Sequence, residues 1–317
     1  MVLTAFAVTV GAYPVTLSDL AVSFGLKSGT VSDAAQTVIW QIRGPRIFAA
    51  LLVGTALASS GSAYQSLFRN PLVSPDILGV SSGAALGAVL GIYLSLPVIG
   101  IEAMSFAGGL TAVGMVYGLA ATISGRDPIL VLVLTGVVVG ALFGSGVALL
   151  KFLADPLNQL PAITFWLLGS LASFNRADLM VLAPTVLVAV IPLVLLRWRL
   201  DVMSLGEEEA TALGVDVRWV RGAVVIGATL MTAAAVSVSG IVGWVGLLVP
   251  HLARLIVGPA FARLLPMTIV FGAAYLLAVD TVARTIGVVE LPLGVLTAVI
   301  GTPVFLWLLA RGRHGAW

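Results

Sequence analysis

The sequence predicts an all-α, polytopic membrane protein with about ten transmembrane helices in a compact bundle. Of its 317 residues, 60% are hydrophobic and 9% are charged, whereas soluble domains have about 25% charged residues. The hydrophobic fraction amounts to roughly 190 residues, enough for about ten spans of about 20 residues each. These residues form continuous stretches, a pattern typical of membrane helices and not of an outer-membrane barrel, whose strands alternate apolar and polar residues.

Ten apolar windows follow one another along the chain, and we assign one helix to each. They cover residues 1–12, 47–66, 77–97, 105–124, 128–150, 179–197, 221–238, 241–257, 264–283 and 291–310. The first window is too short to cross about 30 Å of hydrocarbon at about 1.5 Å per residue, so we expect a short or truncated first helix. Residues 160–174, interrupted by Pro161, are expected to form a short surface helix. The whole chain, 1–317, is expected to be one transmembrane domain.

The basic residues predict the orientation of the bundle. If the loops alternate sides and the C-terminus is inside, ten arginines lie in the cytoplasm: Arg69, Arg126, Arg197, Arg199, Arg218, Arg221, Arg254, Arg263, Arg311 and Arg313. Six basic residues lie outside: Lys27, Arg43, Arg46, Lys151, Arg176 and Arg284. This distribution agrees with the positive-inside rule. The net charge of +2 gives no indication of a nucleic-acid partner.

Ionisable residues are scarce inside the windows, and their scarcity limits the possible functions. Asp280 and Arg254 lie clearly away from a predicted interface, and an intrahelical ion pair between Asp280 and Arg284, four residues on, is the simplest expectation. A proton- or sodium-coupled carrier usually needs a carboxylate at mid-membrane, so that class is disfavoured. The chain has no cysteine, two histidines and no G-x-x-x-x-G-K-[ST] phosphate loop. We therefore expect no catalytic, cofactor or metal site in this chain.

Two polar features outside the windows each allow two interpretations. Arg43 and Arg46, on the outer side, either bind an acidic partner or contact lipid headgroups at a helix end. The segment from Asp201 to Arg221 begins with three glutamates, 207–209, where a helix N-terminus favours negative charge, and Gly214 is placed to end the helix. Its apolar residues recur at helical spacing and are expected to form one face: Ala210, Leu213 and Val217. That face either docks into a groove of another protein or covers the chain's own bundle.

Several stretches of the chain carry a resemblance to a known family. They are RGPR (43–46), GSAYQSLFRNPLVSPDILGVSSGA (61–84), LGEEEATALGV (205–215), GLLVPHLARLIVG (246–258) and ELPLGVLTAVIGTPVFLWLL (290–309). In this order and spacing, the stretches resemble the FecCD family of ABC importer permeases, which take up iron-siderophores, haem and cobalamin. The match extends from about residue 40 onward. The N-terminus departs from the family, whose members have a full first helix preceded by a basic segment.

The resemblance implies an assembly in the bacterial cytoplasmic membrane. A second copy of the chain would form a homodimer with the translocation path on its two-fold axis. Two cytoplasmic ATPase subunits would bind ATP and magnesium, and a periplasmic or lipid-anchored substrate-binding protein would dock outside. The chain itself would hydrolyse nothing. The expected cargo is an iron-siderophore, with haem or cobalamin as alternatives; a secondary carrier that needs no ATPase is the alternative of a different class.

The resemblance also implies roles for individual residues. Residues matching Arg43, Arg46 and Arg284 receive glutamates of the binding protein. Within 201–217, the stretch matching Ser204 to Gly214 forms the coupling helices that sit in the ATPase groove; the candidates are Leu205, Gly206, Glu207, Glu208, Ala210, Leu213 and Gly214. The region around Arg69–Leu72 narrows the cytoplasmic exit, and the gate candidates are Asn70, Leu72, Ile129 and Leu130.

Overall fold

The protein is built from helices. Its structure, a computed structural model, describes residues 2–11, 13–123, 128–287 and 289–311. Within those ranges the chain forms fourteen α-helices, one π-helical segment and one 3-10 helix, and it has no strand. The all-helical class that the continuous apolar windows predict is confirmed.

The α-helices differ widely in length. In chain order they are α1 (Val2–Thr9), α2 (Leu17–Ser23), α3 (Asp33–Thr37), α4 (Gly44–Leu67), α5 (Val80–Tyr93), α6 (Val98–Thr122), α7 (Pro128–Leu153), α8 (Gln159–Leu168), α9 (Arg176–Met203), α10 (Glu207–Ala212), α11 (Val217–Ser239), α12 (Val245–Val257), α13 (Phe261–Ala283) and α14 (Leu293–Arg311). The π-helical segment, Val38–Arg43, joins α3 to α4, and the 3-10 helix, Pro75–Leu78, precedes α5.

Six helices of the described ranges are long and apolar enough to cross a membrane, which leaves the predicted count of ten unconfirmed. They are the continuous helix Asp33–Leu67 and the helices α6, α7, α9, α11 and α13. In two of the other windows the apolar sequence continues through irregular backbone, so the helix is shorter than its window. Window 77–97 includes part of the 3-10 helix, so α5 has 14 residues, and window 241–257 contains the 13 residues of α12. The short helices expected at 1–12 and 160–174 are present as α1 and α8.

Helix α4 is the centre of the bundle, packed by α9, α11, α12 and α13. It approaches two of these helices so closely that their backbones touch at glycines. A Cβ atom on Gly54 would lie 2.1 Å from the carbonyl oxygen of Gly272 in α13, and one on Gly61 would lie 1.9 Å from that of Gly246 in α12. Small residues permit such contacts between membrane helices, where van der Waals packing replaces the hydrophobic effect.

Buried hydroxyl groups join α4 to α11. The Ser60 hydroxyl lies 2.7 Å from that of Thr232, and the Tyr64 hydroxyl lies 3.1 Å from that of Thr229. All four side chains are buried, and each hydroxyl thereby gains the partner that a buried polar group requires. The two hydrogen bonds, one helical turn apart, fix the register of the two helices.

The π-helical segment widens the amino-terminal part of the continuous helix Asp33–Leu67, which contains α4. In a π-helix the backbone hydrogen bonds run from residue i to i+5, so each turn holds more residues than an α-turn. The carbonyl oxygen of Trp40 in this segment accepts hydrogen bonds from Nε and Nη2 of Arg176, at 3.3 and 3.0 Å. This contact ties the segment to the first residue of α9.

Replacing Gly61 by alanine is expected to separate α4 from α12. The added methyl group meets backbone rather than a movable side chain, so we expect a loss of about 1–3 kcal/mol of stability. The control is Gly114→Ala in α6, where a Cβ would meet nothing within 4 Å; it should be neutral or gain up to about 1 kcal/mol. Thermal unfolding in detergent micelles measures both, and equal midpoints for the two variants would contradict the close approach.

Candidate docking, coupling and gate sites

Arg46 joins three elements through two carboxylates at the end of the bundle where α4 begins, which the basic residues predict to be the outer end. Its Nη2 lies 2.9 Å from Oδ1 of Asp280 in α13, and its Nε donates to the same carboxylate at 3.0 Å. Its Nη1 and Nη2 donate to Oε1 and Oε2 of Glu290 at 2.8 and 2.9 Å. Asp280 is fully buried, whereas the Glu290 side chain is 42% exposed. The two carboxylates therefore have different surroundings, one inside the bundle and one at its rim.

The guanidinium of Arg46 has almost no donor left for another partner. An arginine side chain has five N–H groups, and these contacts use the Nε hydrogen, both hydrogens of Nη2 and one of Nη1. The side chain is 11% exposed. A further carboxylate could form a bidentate pair with Arg46 only by taking the place of Glu290.

Arg43 and Arg284 hold the carboxyl end of α1. Arg43 donates to the carbonyl oxygens of Val8 and Tyr13, each at 2.6 Å. Arg284 donates to the carbonyl oxygen of Val10 at 2.8 Å and to that of Ala7. The last carbonyl groups of a helix have no partner within it, and a cation there also favours the helix dipole. The two guanidinium groups thus cap α1.

Gly11 fits between these two arginines because it lacks a side chain. Its φ is +150°, and a Cβ atom at this position would lie 2.5 Å from Nη2 of Arg43 and 3.3 Å from Nη1 of Arg284. The backbone can therefore pass between the guanidinium groups only without a side chain. The three arginines assigned to docking do lie together, but each one has partners within the chain.

The expected ion pair between Asp280 and Arg284 is secondary. Their closest side-chain atoms, Oδ2 and Nε, are 3.8 Å apart, whereas Arg46 on α4 approaches Asp280 to 2.9 Å. Helical spacing indicated the neighbour on the same helix but could not indicate a partner 234 residues away in sequence. Glu290, the first residue of the ELPLG stretch, was likewise not predicted as a partner of Arg46.

At the opposite end of the bundle, α10 is a short helix with a defined start and end. Glu207 to Glu209 form its first turn, as the sequence predicted. Gly214, at φ +80°, follows the C-cap Leu213. The amide of Val215 donates to the carbonyl of Ala210 at 2.9 Å and that of Gly214 to Thr211 at 2.9 Å, which is the Schellman arrangement. The prediction that Gly214 ends the helix is confirmed.

The prediction of a single apolar face on this segment is wrong. Ala210 and Val217 are buried, whereas Leu213 is 58% exposed. The reason is that α10 ends at Ala212, so Leu213 and Val217 do not continue its helical periodicity. Leu205, just before α10, is 64% exposed. The segment therefore covers its own bundle with Ala210 and presents Leu205 and Leu213 outward.

Two charged contacts anchor the segment from Asp201 to Arg221. Neither contact was predicted from the sequence. Glu207 forms an ion pair with Arg221 of α11, and the guanidinium of Arg199 lies 5.4 Å from the ring centroid of Trp219, within the range of a cation–π contact. Glu208 is exposed and Gly206, at φ +146°, is buried. The ion pair of Glu207 thus fixes α10 to α11, and the contact of Arg199 with Trp219 joins the adjacent ends of α9 and α11.

The gate candidates lie at the same end as α10, in two separate elements. Asn70 caps its own turn, since its Oδ1 accepts a hydrogen bond from the amide of Leu72 at 2.9 Å. Leu72 and Leu130 are exposed, whereas Ile129 is half-buried against the core. Ile129 and Leu130 lie in the first turn of α7, and residues 124–127 before them lie outside the described ranges.

Neutralising Asp280 should destabilise the protein more than neutralising Glu290. In Asp280→Asn, Arg46 and Arg284 lose their buried counter-charge, and breaking a buried pair in this way costs about 3–5 kcal/mol. Glu290→Gln removes an exposed carboxylate from the same arginine and should cost no more than about 1 kcal/mol. Thermal unfolding of both variants in detergent provides the comparison. A larger loss for Glu290→Gln would show that the exposed pair holds the cluster together.

The chain is similar to known transport proteins along most of its length. A model of the FecCD transport family matches residues 1–311. The chain is 40% identical over 285 residues to the molybdate import system permease protein MolB of Haemophilus influenzae, covering 90% of this chain and 84% of that protein. It is 41% identical over 306 residues to the cobalamin import system permease protein BtuC of Halobacterium salinarum, covering 96% of this chain and 82% of that protein.

A solved structure supports the same relationship. It is described as an inward-facing metal-chelate type ABC transporter, and it superposes on this chain with a TM-score of 0.89 at 37% sequence identity, covering 98% of this chain and 96% of that one. The family match, the two relatives and the structural similarity each extend over most of the chain. The chain belongs to the FecCD transport family.

Proposed function

We propose that this chain is the transmembrane permease subunit of an ATP-driven ABC importer of metal chelates in the bacterial cytoplasmic membrane. The observation that carries the proposal is that the two ends of this FecCD-family bundle carry different groups, each suited to a different partner. One end holds the arginines Arg43, Arg46 and Arg284 with a displaceable carboxylate, and the other holds α10 with outward-facing leucines. The chain is a conduit, and partner ATPase subunits supply the energy.

An iron-siderophore is the cargo we propose to test first, with haem and cobalamin as alternatives. The named relatives import molybdate and cobalamin, so membership of the family is compatible with chemically different cargoes. In such a system the binding protein selects the ligand by its pocket, and the permease needs a path and a gate. The choice among cargoes therefore depends on the partner.

Docking of the substrate-binding protein is assigned to Arg46 through exchange of carboxylates. Glu290 is exposed and occupies the two terminal nitrogens of Arg46, so an acidic side chain of the binding protein would replace it. Asp280 stays in place and keeps the guanidinium oriented. Arg43 and Arg284 contribute positive charge that steers an acidic partner, while their hydrogen bonds remain on α1.

Coupling to the ATPase is assigned to the outward side of the α10 segment. Leu205 and Leu213 are exposed apolar residues on either side of α10, and apolar side chains that flank a short helix can enter a groove on a partner together with that helix. Glu207 connects α10 to Arg221 at the start of α11. A shift of the ATPase would therefore move the adjacent ends of α9 and α11 and open or close the exit.

A second copy of the chain is proposed to complete the path. Leu72 and Leu130, the exposed gate candidates, present apolar side chains outward from the single chain. Their counterparts in the second copy would meet them at the two-fold axis, and four leucines together would form an apolar constriction.

Reconstitution tests the proposed function. We expect proteoliposomes that contain this chain, its ATPase and its binding protein to accumulate the iron-siderophore only when ATP is hydrolysed. Proteoliposomes that contain the chain alone, with an imposed proton or sodium gradient, should show no uptake. Gradient-driven uptake by the chain alone would establish the alternative, a secondary carrier.

Matched variants locate the coupling step within the same assay. Leu213→Asp should abolish co-purification of the ATPase and ATP-driven uptake, because a charge cannot be buried in an apolar groove without a partner. Leu157→Asp is the control, since Leu157 is 83% exposed in the α7–α8 loop at the other end. Normal uptake by Leu213→Asp would show that the segment only covers its own bundle.

Two substitutions at the outer end should change binding-protein affinity in opposite directions. Arg46→Glu should weaken association about tenfold or more, and Glu290→Gln should strengthen it, because the neutral amide competes less well for Arg46. Lys151→Glu is a charge reversal at the same end outside the cluster and should change it little. Surface plasmon resonance at two salt concentrations provides the affinities and shows how far salt weakens the charge interactions between the two proteins. Weaker binding by Glu290→Gln would contradict the exchange of carboxylates.

A further inference from the structure

A cavity of about 650 Å³ lies at the end of the bundle that carries α10. Its walls come from the ends of α4, α9 and α12 and from the start of α13, and two arginines, Arg69 and Arg254, line it. Neither arginine forms an ion pair with a carboxylate in the described part of the chain. The cavity is thus a positively charged space between helices.

Arg254 is held in place by a neutral partner. Its Nη2 donates to Oε1 of Gln65 at 3.1 Å. The amide nitrogen of Gln65 in turn donates to the backbone carbonyls of Val73 and Leu247, each at 3.3 Å. The Nη1 of Arg254 is buried and has no hydrogen-bond partner among the described residues. The guanidinium is therefore preorganised and retains an unused donor, which is costly for a buried charged group.

Arg69 occupies a backbone position that favours glycine. Helix α4 ends in a Schellman arrangement, in which Asn70 N–H donates to the Gln65 carbonyl at 3.0 Å and Arg69 N–H to the Ser66 carbonyl at 3.3 Å. Arg69 has the left-handed φ of +49° that this motif requires, a conformation that is unfavourable for residues with a Cβ. The motif would be more stable with glycine, so the long cationic side chain at this position has a cost in backbone stability.

The carboxylate in the cavity wall does not neutralise these arginines directly. Asp201 uses Oδ1 to accept a hydrogen bond from the amide of Phe261 and Oδ2 to accept one from Ala262 at 3.2 Å. It caps the first turn of α13, whose unpaired amides and dipole favour a negative charge. Its two oxygens are directed to that helix end, and the positive charge of the cavity remains available.

We propose that this cavity binds a phosphate-bearing anion, held between Arg69 and Arg254. Guanidinium groups match phosphate oxygens with paired N–H donors, and basic pockets between transmembrane helices on the cytoplasmic side bind phospholipid head groups. Leu255, which lies in the cavity wall and is 52% exposed, can contact the glycerol and upper acyl chain of such a lipid. Free phosphate would use the same two arginines. Asn70, a gate candidate, also lines the cavity, so the ligand would stabilise the turn that carries the gate.

The test uses the full chain, purified without lipid in maltoside micelles and phosphate-free buffer. Its thermal midpoint is measured against added phosphatidylglycerol, diacylglycerol of the same acyl chains, and inorganic phosphate. A ligand that binds the folded state raises the midpoint, so phosphatidylglycerol should raise it and diacylglycerol should not. A rise with inorganic phosphate of equal size would identify free phosphate as sufficient, whereas a rise with the lipid alone would identify the head group.

The variants Arg69→Gly and Arg254→Gln separate binding from folding. Arg69→Gly relieves the left-handed backbone and should raise the ligand-free midpoint, yet it should weaken phosphate-ligand binding about tenfold, as should Arg254→Gln. Arg218→Gln, an exposed arginine on α11 outside the cavity, should bind like the wild type. The proposal is overturned if no phosphate ligand shifts the wild type, or if Arg218→Gln weakens binding as much as the cavity variants. Because no transport is measured, either result is independent of the proposed importer function.

Discussion

The buried ion pair between Arg46 and Asp280 determines how α4 and α13 are aligned in the half of the bundle where α4 begins. A charged carboxylate with no exposure is tolerated only with a well-placed counter-charge, so α4 and α13 must keep the one register in which Arg46 reaches Asp280. The contact of Gly54 with Gly272 between the same two helices has the same requirement, because a shift of one residue would place side chains where two backbones now touch. Electrostatics and packing thus specify one alignment.

Helix α4 connects the two ends of the bundle that are proposed to bind partners. It begins at Gly44, next to Arg43, and its last turn contains Gln65, which orients Arg254 in the cavity at the other end. Its 24 residues span about 36 Å at 1.5 Å per residue. Since α4 is surrounded by four helices and joined to α11 by hydrogen bonds, its position is constrained along its length. We therefore expect a displacement of one end of α4 to displace the other end as well.

The sequence predicted the class of fold, the family, and the local features that depend on neighbouring residues. The end of α10 at Gly214 is one such case, because a Schellman motif is determined within six residues. The partners of Arg46 could not be predicted in this way, because Asp280 and Glu290 are 234 and 244 residues away. The count of ten spans is not confirmed, because hydropathy does not distinguish a helix from apolar backbone that turns, as it does around Pro75–Leu78. The orientation of Leu213 depended on where α10 ends, which periodicity alone did not indicate.

The π-helical segment Val38–Arg43 affects how the chain before it, including α3, can change in evolution. An α-turn accommodates one residue fewer than a π-turn, so loss of a single residue within this segment could be absorbed by reversion to α-helix. Residues before the turn would rotate about the helix axis, while Arg46 and everything after it would keep their positions. The face presented by α3 and the preceding loop would therefore change its orientation, and the contact of Trp40 with Arg176 would change with it, while the helices after Arg46 keep their places.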